Sequence, residues 1–147
     1  MANKIFAGPA GEQPSRAEPL LAATDMGAGF LVERQTSATE YTLSTTAATV
    51  QEQEFLVTID EGETMGRGVD DITPAGDSVE PLQPQSGQLV QLRFASGNNI
   101  TNLGMPVTTA AAAGRFGLAA AGDKVFAVTQ EIKNVTANDT LVLCRKA

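Results

Sequence analysis

Gln88-Leu-Val-Gln-Leu-Arg-Phe94 is the stretch that decides the fold class of this 147-residue chain. Apolar side chains at positions 90, 92 and 94 alternate with Gln91 and Arg93. Successive side chains of a strand point to opposite faces, so this alternation predicts a β-strand with one apolar face and one polar face. Phe55-Leu-Val-Thr-Ile59, which ends at the turn-forming Asp60-Glu-Gly62, predicts a second strand.

Short runs rich in Val, Thr, Leu and Phe continue on both sides of these two stretches. They predict four more strands, at Phe30–Glu33, Glu40–Ser44, Lys124–Thr129 and Thr140–Cys144. The last two are apolar on both faces and are expected to be central in the core. Residues 110–121 are interpreted as a loop or hairpin, because Gly114 and Gly117 oppose the helix that the alanines favour.

Residues 1–26 are predicted to form an extended N-terminal arm, and residues 27–147 a β-domain. The arm contains three prolines and only isolated apolar pairs, so it lacks the pattern of a packed element. We interpret its apolar residues and two of its prolines as contacts to another protein chain. These residues are Ile5, Phe6, Pro9, Pro14, Leu20 and Leu21. The expected fold is mainly β, a single compact β-barrel or β-tulip or sandwich-like domain with this arm attached.

Composition and charge restrict the functions open to the chain. It carries 10 Lys and Arg against 17 Asp and Glu, a formal net charge of -7, which disfavours binding to nucleic acid phosphates. It has no histidine, which removes the Ser-His-Asp and Cys-His catalytic sets and His-dependent zinc sites. No membrane span and no signal peptide are indicated, and we expect a non-enzymatic protein made in a cytosol-like compartment.

The acidic, glycine-rich segment Glu61–Asp71 is the strongest candidate for a ligand loop. It lacks the third glycine of a dinucleotide-binding loop and any Gly-Lys-Ser/Thr sequence, so we interpret it as a β-turn loop. Its carboxylates and Asp60, which Asp25 and Asp77 could join in space, do not have EF-hand spacing, which favours a solvated acidic rim over a metal site. We expect no metal and no cofactor. Cys144, the only cysteine, lies in an apolar run and is interpreted as a small buried hydrophobic residue.

A weak internal echo links Ala75-Gly-Asp-Ser-Val79 to Ala121-Gly-Asp-Lys-Val125. The distances from these segments to the apolar runs that follow them differ. We therefore interpret the echo as a chance similarity of β-turns rather than as an internal repeat.

The C-terminal third resembles the decoration, or cement, proteins of tailed-bacteriophage capsids. The resemblance rests on Asn99-Ile-Thr-Asn-Leu-Gly-Met-Pro-Val-Thr-Thr109 and on Ala121-Gly-Asp-Lys-Val-Phe-Ala-Val128. In that family a Gly-x-Pro-Val strand and a Gly-Asp-x-Val strand recur among loops rich in Ala, Gly and Thr.

The resemblance implies a structural protein on the outer surface of a phage head, commonly a homotrimer at or near threefold positions. Such a protein clamps neighbouring major capsid subunits and is made in the host cytoplasm. The resemblance also implies that the contact residues of the arm bind a capsid subunit or another protomer. Two alternatives remain open at this point. One is another virion structural or adaptor subunit, and the other is a carbohydrate-binding β-domain that uses the acidic loops with Ca²⁺.

Overall fold

The computed structural model describes residues 4–12, 14–36, 39–60 and 68–147 and shows an all-β protein. The mainly β fold class is confirmed. Over these ranges the strands are β1 Phe6–Gly8, β2 Ser15–Arg16, β3 Leu20–Ala22, β4 Leu31–Arg34, β5 Glu40–Leu43, β6 Leu56–Val57, β7 Ser78–Val79, β8 Leu82–Gln83, β9 Leu89–Phe94, β10 Asn98–Ile100, β11 Pro106–Thr109, β12 Phe116–Leu118, β13 Ala127–Thr129, β14 Lys133–Val135 and β15 Thr140–Lys146. The predicted hairpin at 110–121 is confirmed, since its turn joins the antiparallel strands β11 and β12.

The first large sheet is a curled ring made by residues 15–83, which we name the N-terminal unit. Strand β3 pairs with β5 in parallel, and antiparallel pairs then connect β5 to β4, β4 to β6 and β6 to β8. The last two antiparallel pairs are β8 with β2 and β7 with β3. They close the ring because β2 and β3 follow each other in the chain, as do β7 and β8.

The second large sheet is a ring of the same topology made by residues 88–147, the C-terminal unit. Strand β9 pairs with β12 in parallel, and antiparallel pairs connect β12 to β11, β11 to β13 and β13 to β15. Strand β15 then returns antiparallel to β9 and closes the ring. Strand order and strand direction are therefore the same in the two units.

The register of the pairs also repeats. Val32 faces Leu43 and Leu56 across its two neighbouring strands, and Val107 faces Leu118 and Ala127 in the same way. All of these except Leu43 and Leu118 are fully buried, and those two are half-buried. The chain thus contains one five-stranded arrangement twice.

Side-chain hydrogen bonds confirm the equivalence. Thr58 Oγ1 accepts from the main-chain N–H of Phe30 at 3.0 Å, and Thr129 Oγ1 accepts from that of Met105 at 3.0 Å. The residues just before Phe30 and Met105 are Gly29 and Gly104, whose N–H groups donate to the carbonyls of Thr58 and Thr129 at 2.8 and 2.7 Å.

The Ala-Gly-Asp echo in the sequence does not mark this repeat. Gly76 N donates to the carbonyl of Ala22, and Asp139 N donates to that of Phe94, so Gly76 corresponds to Asp139. The other half of the echo, around Gly122, is a separate turn closed by Asp123 N on the carbonyl of Ala120. The echo is a similarity of turns, as expected, and the repeat of strand pairing is a separate finding of the structure.

The two units pack head to tail through a corner of the N-terminal unit, residues 28–31, which we name the Gly29 corner. Its main chain enters the C-terminal unit between β9 and β12: Arg93 N donates to the Gly29 carbonyl at 2.9 Å, and Leu31 N donates to the Gly114 carbonyl at 2.8 Å. The outward side chains of Leu31, Val57 and Leu82 are fully buried in the same core as Phe94 and Phe116.

The residues predicted as an N-terminal arm are paired with both units. Strand β1 runs antiparallel to β9, and Ile5 N donates to Asp60 Oδ1 at 3.0 Å. Strands β2 and β3 belong to the N-terminal unit. The division into an arm at 1–26 and a domain at 27–147, with the arm directed toward a partner, stays a prediction.

Alanine substitutions at Gly29 and at Gly104 should separate the backbone strain of this turn from the packing of the Gly29 corner. Both glycines have positive φ, 89° and 81°, so either substitution should cost about 1 kcal/mol of unfolding free energy. A Cβ at Gly29 would also lie 3.1 Å from Arg93 Cγ and 3.2 Å from Ile5 Cδ1, whereas at Gly104 nothing lies within 4 Å. We expect Gly29→Ala to cost about 2 kcal/mol more than Gly104→Ala in urea unfolding. Equal losses would contradict the packing of the Gly29 corner.

Candidate functional site

The six predicted contact residues lie at two separate places. Ile5 is fully buried and Phe6 is partly buried against the core that the two units share. Leu20 packs on the core of the N-terminal unit, and Pro14 is partly buried.

The outward-facing members of that set are Pro9, which is exposed beside β1, and Leu21, which is 48% exposed on β3. Ile5 contributes to the chain's own core, because its backbone is held by both Gln91 and Asp60. The contact prediction therefore depends on the exposed side chains, Leu21 above all.

Two large exposed apolar residues were missed in the sequence. Leu103 is 62% exposed and Ile132 is 67% exposed. They follow and precede the paired strands β10 and β14, whose last pair is Ile100 with Lys133, so both extend from the same end of this ribbon. The signal for them was a single large apolar residue inside a polar loop, at Asn102-Leu-Gly104 and Glu131-Ile-Lys133.

Residues 102–105, which we name the Leu103 corner, are held on both sides of Leu103. Thr129 Oγ1 donates to the Asn102 carbonyl at 3.0 Å, and Gly104 N donates to the Thr129 carbonyl at 2.7 Å. Because the main chain is fixed next to a buried threonine, Leu103 is held outward rather than folded back. An exposed apolar side chain on a fixed backbone is suited to binding another protein surface.

A groove of about 580 Å³ lies on the outer face of β9 and β15. Its charged side chains are already paired within the chain. Arg115 binds Asp139 through two contacts, at 2.7 and 3.2 Å, and Lys133 lies 3.1 Å from Glu131. The groove is therefore closer to neutral than its charged lining suggests, and its ion pairs hold loops together.

Arg93 is the centre of this groove and a structural residue. Its guanidinium donates to the main-chain carbonyls of Ala28, Val69 and Asp139 and to the carboxylate of Asp70, at 2.7 to 3.0 Å. The side chain is 11% exposed, although its position on the polar face of the strand predicted solvent. The Gly29 corner of the other unit covers it.

The predicted acidic rim lies partly in the described residues. Asp25, Asp60 and Asp71 each accept a hydrogen bond from a main-chain N–H, those of Ala75, Ile5 and Gly68. Glu61 and Glu63 lie outside the described residues, as does most of the glycine-rich loop. In the ranges that the structure covers, no group of three or more Asp, Glu, Cys or His is arranged to hold a metal ion.

Two buried groups have shifted ionisation. Burial, with a smaller effect of the Glu131 carboxylate, raises the pKa of the Cys144 thiol. Burial also raises the pKa of Tyr41, whose hydroxyl donates to the Glu18 carbonyl at 2.6 Å. Both groups stay neutral near neutral pH, which fits a structural role for each.

Comparison with known proteins identifies no family for this chain. No protein-family model matches it, and no curated protein matches it. Among the described residues, no helix is long and apolar enough to span a membrane.

Replacing Arg93 with Met should destabilise the protein strongly. The change leaves the carbonyls of Ala28, Val69 and Asp139 without this donor, and we expect a loss of about 3 kcal/mol in the free energy of unfolding. Arg145→Met is the matched control, because Arg145 is exposed and donates to Gly87, and it should cost less than about 1 kcal/mol. Urea unfolding of the two variants measures both values. Similar losses would show that Arg93 does not join the units.

Cys144 should be unreactive in the folded protein. Because the thiolate is the reacting form and this thiol is fully buried with a raised pKa, a chromogenic disulfide reagent at mildly alkaline pH should label it at least about a hundredfold more slowly than in urea. Rapid labelling without denaturant would show that β15 opens readily.

Proposed function

We propose that this chain is a capsid decoration protein of a tailed bacteriophage. In this proposal it binds the outer surface of the head as a homotrimer and stabilises contacts between major capsid subunits. It performs no catalysis and binds no nucleic acid directly.

The observation that carries the proposal is the position of the two segments that resemble the decoration proteins. Pro106 pairs with Val128 and Val107 with Ala127, so the Gly-x-Pro-Val strand and the strand after Gly-Asp-x-Val are hydrogen-bonded neighbours. Motifs that lie 15 or more residues apart in the sequence thus form one element. The two segments that carry the resemblance therefore lie side by side in the C-terminal unit.

The surface of that element also supports the proposal. Leu103 precedes the first strand, and Val125, 41% exposed, precedes the second. A rigid β-unit that exposes large apolar side chains on fixed loops is suited to binding a repeated surface such as a capsid lattice. A net charge of -7 disfavours contact with the packaged genome.

Co-sedimentation with undecorated, expanded heads of the source phage tests the function directly. We expect saturable binding at a copy number that matches local threefold positions. Failure to bind heads would overturn the proposal. A rise in melting temperature on adding Ca²⁺, together with that failure, would favour the carbohydrate-binding alternative.

A second form of the experiment tests the predicted contact at Leu21. Leu21→Ser should weaken head binding about tenfold, because burial of one leucine contributes roughly that much. Ile72→Ser is the control, since Ile72 is 56% exposed and lies outside the predicted contact set. Equal effects of the two substitutions would contradict a contact through Leu21.

A further inference from the structure

The contact between the two units of the chain joins unlike surfaces. The N-terminal unit contributes the Gly29 corner, and the C-terminal unit contributes the outer face of β9 and β15 together with Gly114, which precedes β12. In this contact Arg93 Nε donates to the Ala28 carbonyl, and a Cβ on Gly29 would lie 3.3 Å from Leu141 Cδ2. A contact of this head-to-tail kind leaves one copy of each surface unused at the far ends.

The repeat identifies the two unused surfaces. By register, the Gly29 corner corresponds to the Leu103 corner, with Leu103 in the place of Ala28. Tyr41 and Phe116 are equivalent, and their carbonyls accept from Ala23 N and Ala95 N. Ala23 is therefore equivalent to Ala95. Two residues earlier in each unit, Leu21 stands in the place of Arg93.

Both unused surfaces are exposed and apolar where the used ones are not. Ala28 is 4% exposed and its equivalent Leu103 is 62% exposed. Arg93 has a side chain 11% exposed, and its equivalent Leu21 is 48% exposed. Inside the chain, Arg93 meets the main-chain carbonyl of Ala28. The corresponding residues on the outside are Leu21 and Leu103.

We name the exposed outer side of β3 around Leu21 the Leu21 face. We propose that copies of this chain associate head to tail, with the Leu103 corner of one copy on the Leu21 face of the next. The contact uses the surfaces equivalent to those that join the two units within one chain. It uses side chains where the internal contact uses main chain, because Leu21 N is already bonded to the Thr39 carbonyl at 3.3 Å.

Charge favours a contact between unlike units of two copies. The N-terminal unit, residues 15–83, has thirteen acidic and three basic residues, whereas the C-terminal unit, residues 88–147, has three acidic and six basic residues. A head-to-tail contact brings the acidic unit of one copy to the basic unit of the next. A contact between two N-terminal units would bring like charges together.

Head-to-tail contacts close into a ring when the rotation between copies permits it. Such a ring alternates acidic and basic units of one topology around its axis. The association concerns the purified protein without a capsid, so failure to bind heads would leave this inference intact, and a monomeric protein that still binds heads would overturn only the association.

Sedimentation velocity of the purified full-length protein tests the association over about a hundredfold range of concentration. We expect oligomers at low salt that weaken in about 0.5 M NaCl, because screening reduces the attraction between unlike units. Leu103→Ser and Leu21→Ser should each weaken association at least about tenfold. Ile72→Ser, a change at another exposed apolar residue, should leave it unchanged.

A mixing experiment distinguishes a contact between unlike surfaces from a contact between two copies of the same surface. Each of Leu103→Ser and Leu21→Ser removes one side of the contact and keeps the other. An equimolar mixture should therefore form heterodimers through the intact Leu103 corner of one variant and the intact Leu21 face of the other. A monomeric wild type at every concentration, association insensitive to either substitution, or a mixture that stays monomeric would overturn the proposal.

Discussion

The insertion of the Gly29 corner between β9 and β12 is the contact on which the rest of the structure depends. It buries Leu31, Val57 and Leu82, which are the outward side chains of a small curled sheet and would otherwise face water. The equivalent outward positions of the C-terminal unit are Pro106, Val128 and Arg145, which are exposed or half-buried. Each unit alone has only about 60 to 70 residues, and a sheet of that size has a marginal core. The shared core lets two such units form one stable fold.

Differences between equivalent positions explain why one topology forms the internal contact in one place and an exposed apolar surface in the other. Where the units meet, Arg93 secures loops from both by donating to three carbonyls, and a buried guanidinium of this kind is stable only when its donors are satisfied. At the equivalent outer position the chain has Leu21, which needs no hydrogen-bond partner. The same exchange places Leu103 where the internal contact has Ala28. The proposed association between copies follows from these differences, and a decoration protein that binds a repeated lattice would gain avidity from it.

Six of the strands, β4, β5, β6, β9, β13 and β15, were predictable because their signal is local. Alternation identified β9 and β5, and the glycines of residues 110–121 identified the β11–β12 turn. The burial of Arg93 was not predictable, since the residues that cover it lie far away in the chain. The same holds for Ile5. The composition of the segment around it suggested a contact made by an arm, but Ile5 is buried in the core and its main-chain N–H donates to the distant Asp60. Of the candidate surface, the sequence pointed to Leu21 but not to Leu103 or Ile132, because a lone apolar residue in a loop has no periodicity to mark it.

The amino-acid sequence by itself determined an all-β chain without histidine, with an acidic balance and with turns at its glycines, because those properties depend on composition and on neighbouring residues. Only the tertiary structure showed that the chain repeats one five-stranded ring. Equivalent residues in the two rings share hydrogen bonds and register far more than identity; among the identical pairs are Gly29 and Gly104, and Thr58 and Thr129. Strand pairing is made by the main chain, which any sequence of suitable pattern supplies, so a repeat of pairing leaves little trace in side chains. Which surfaces remain open was likewise decided by packing, because burial depends on what the other unit covers.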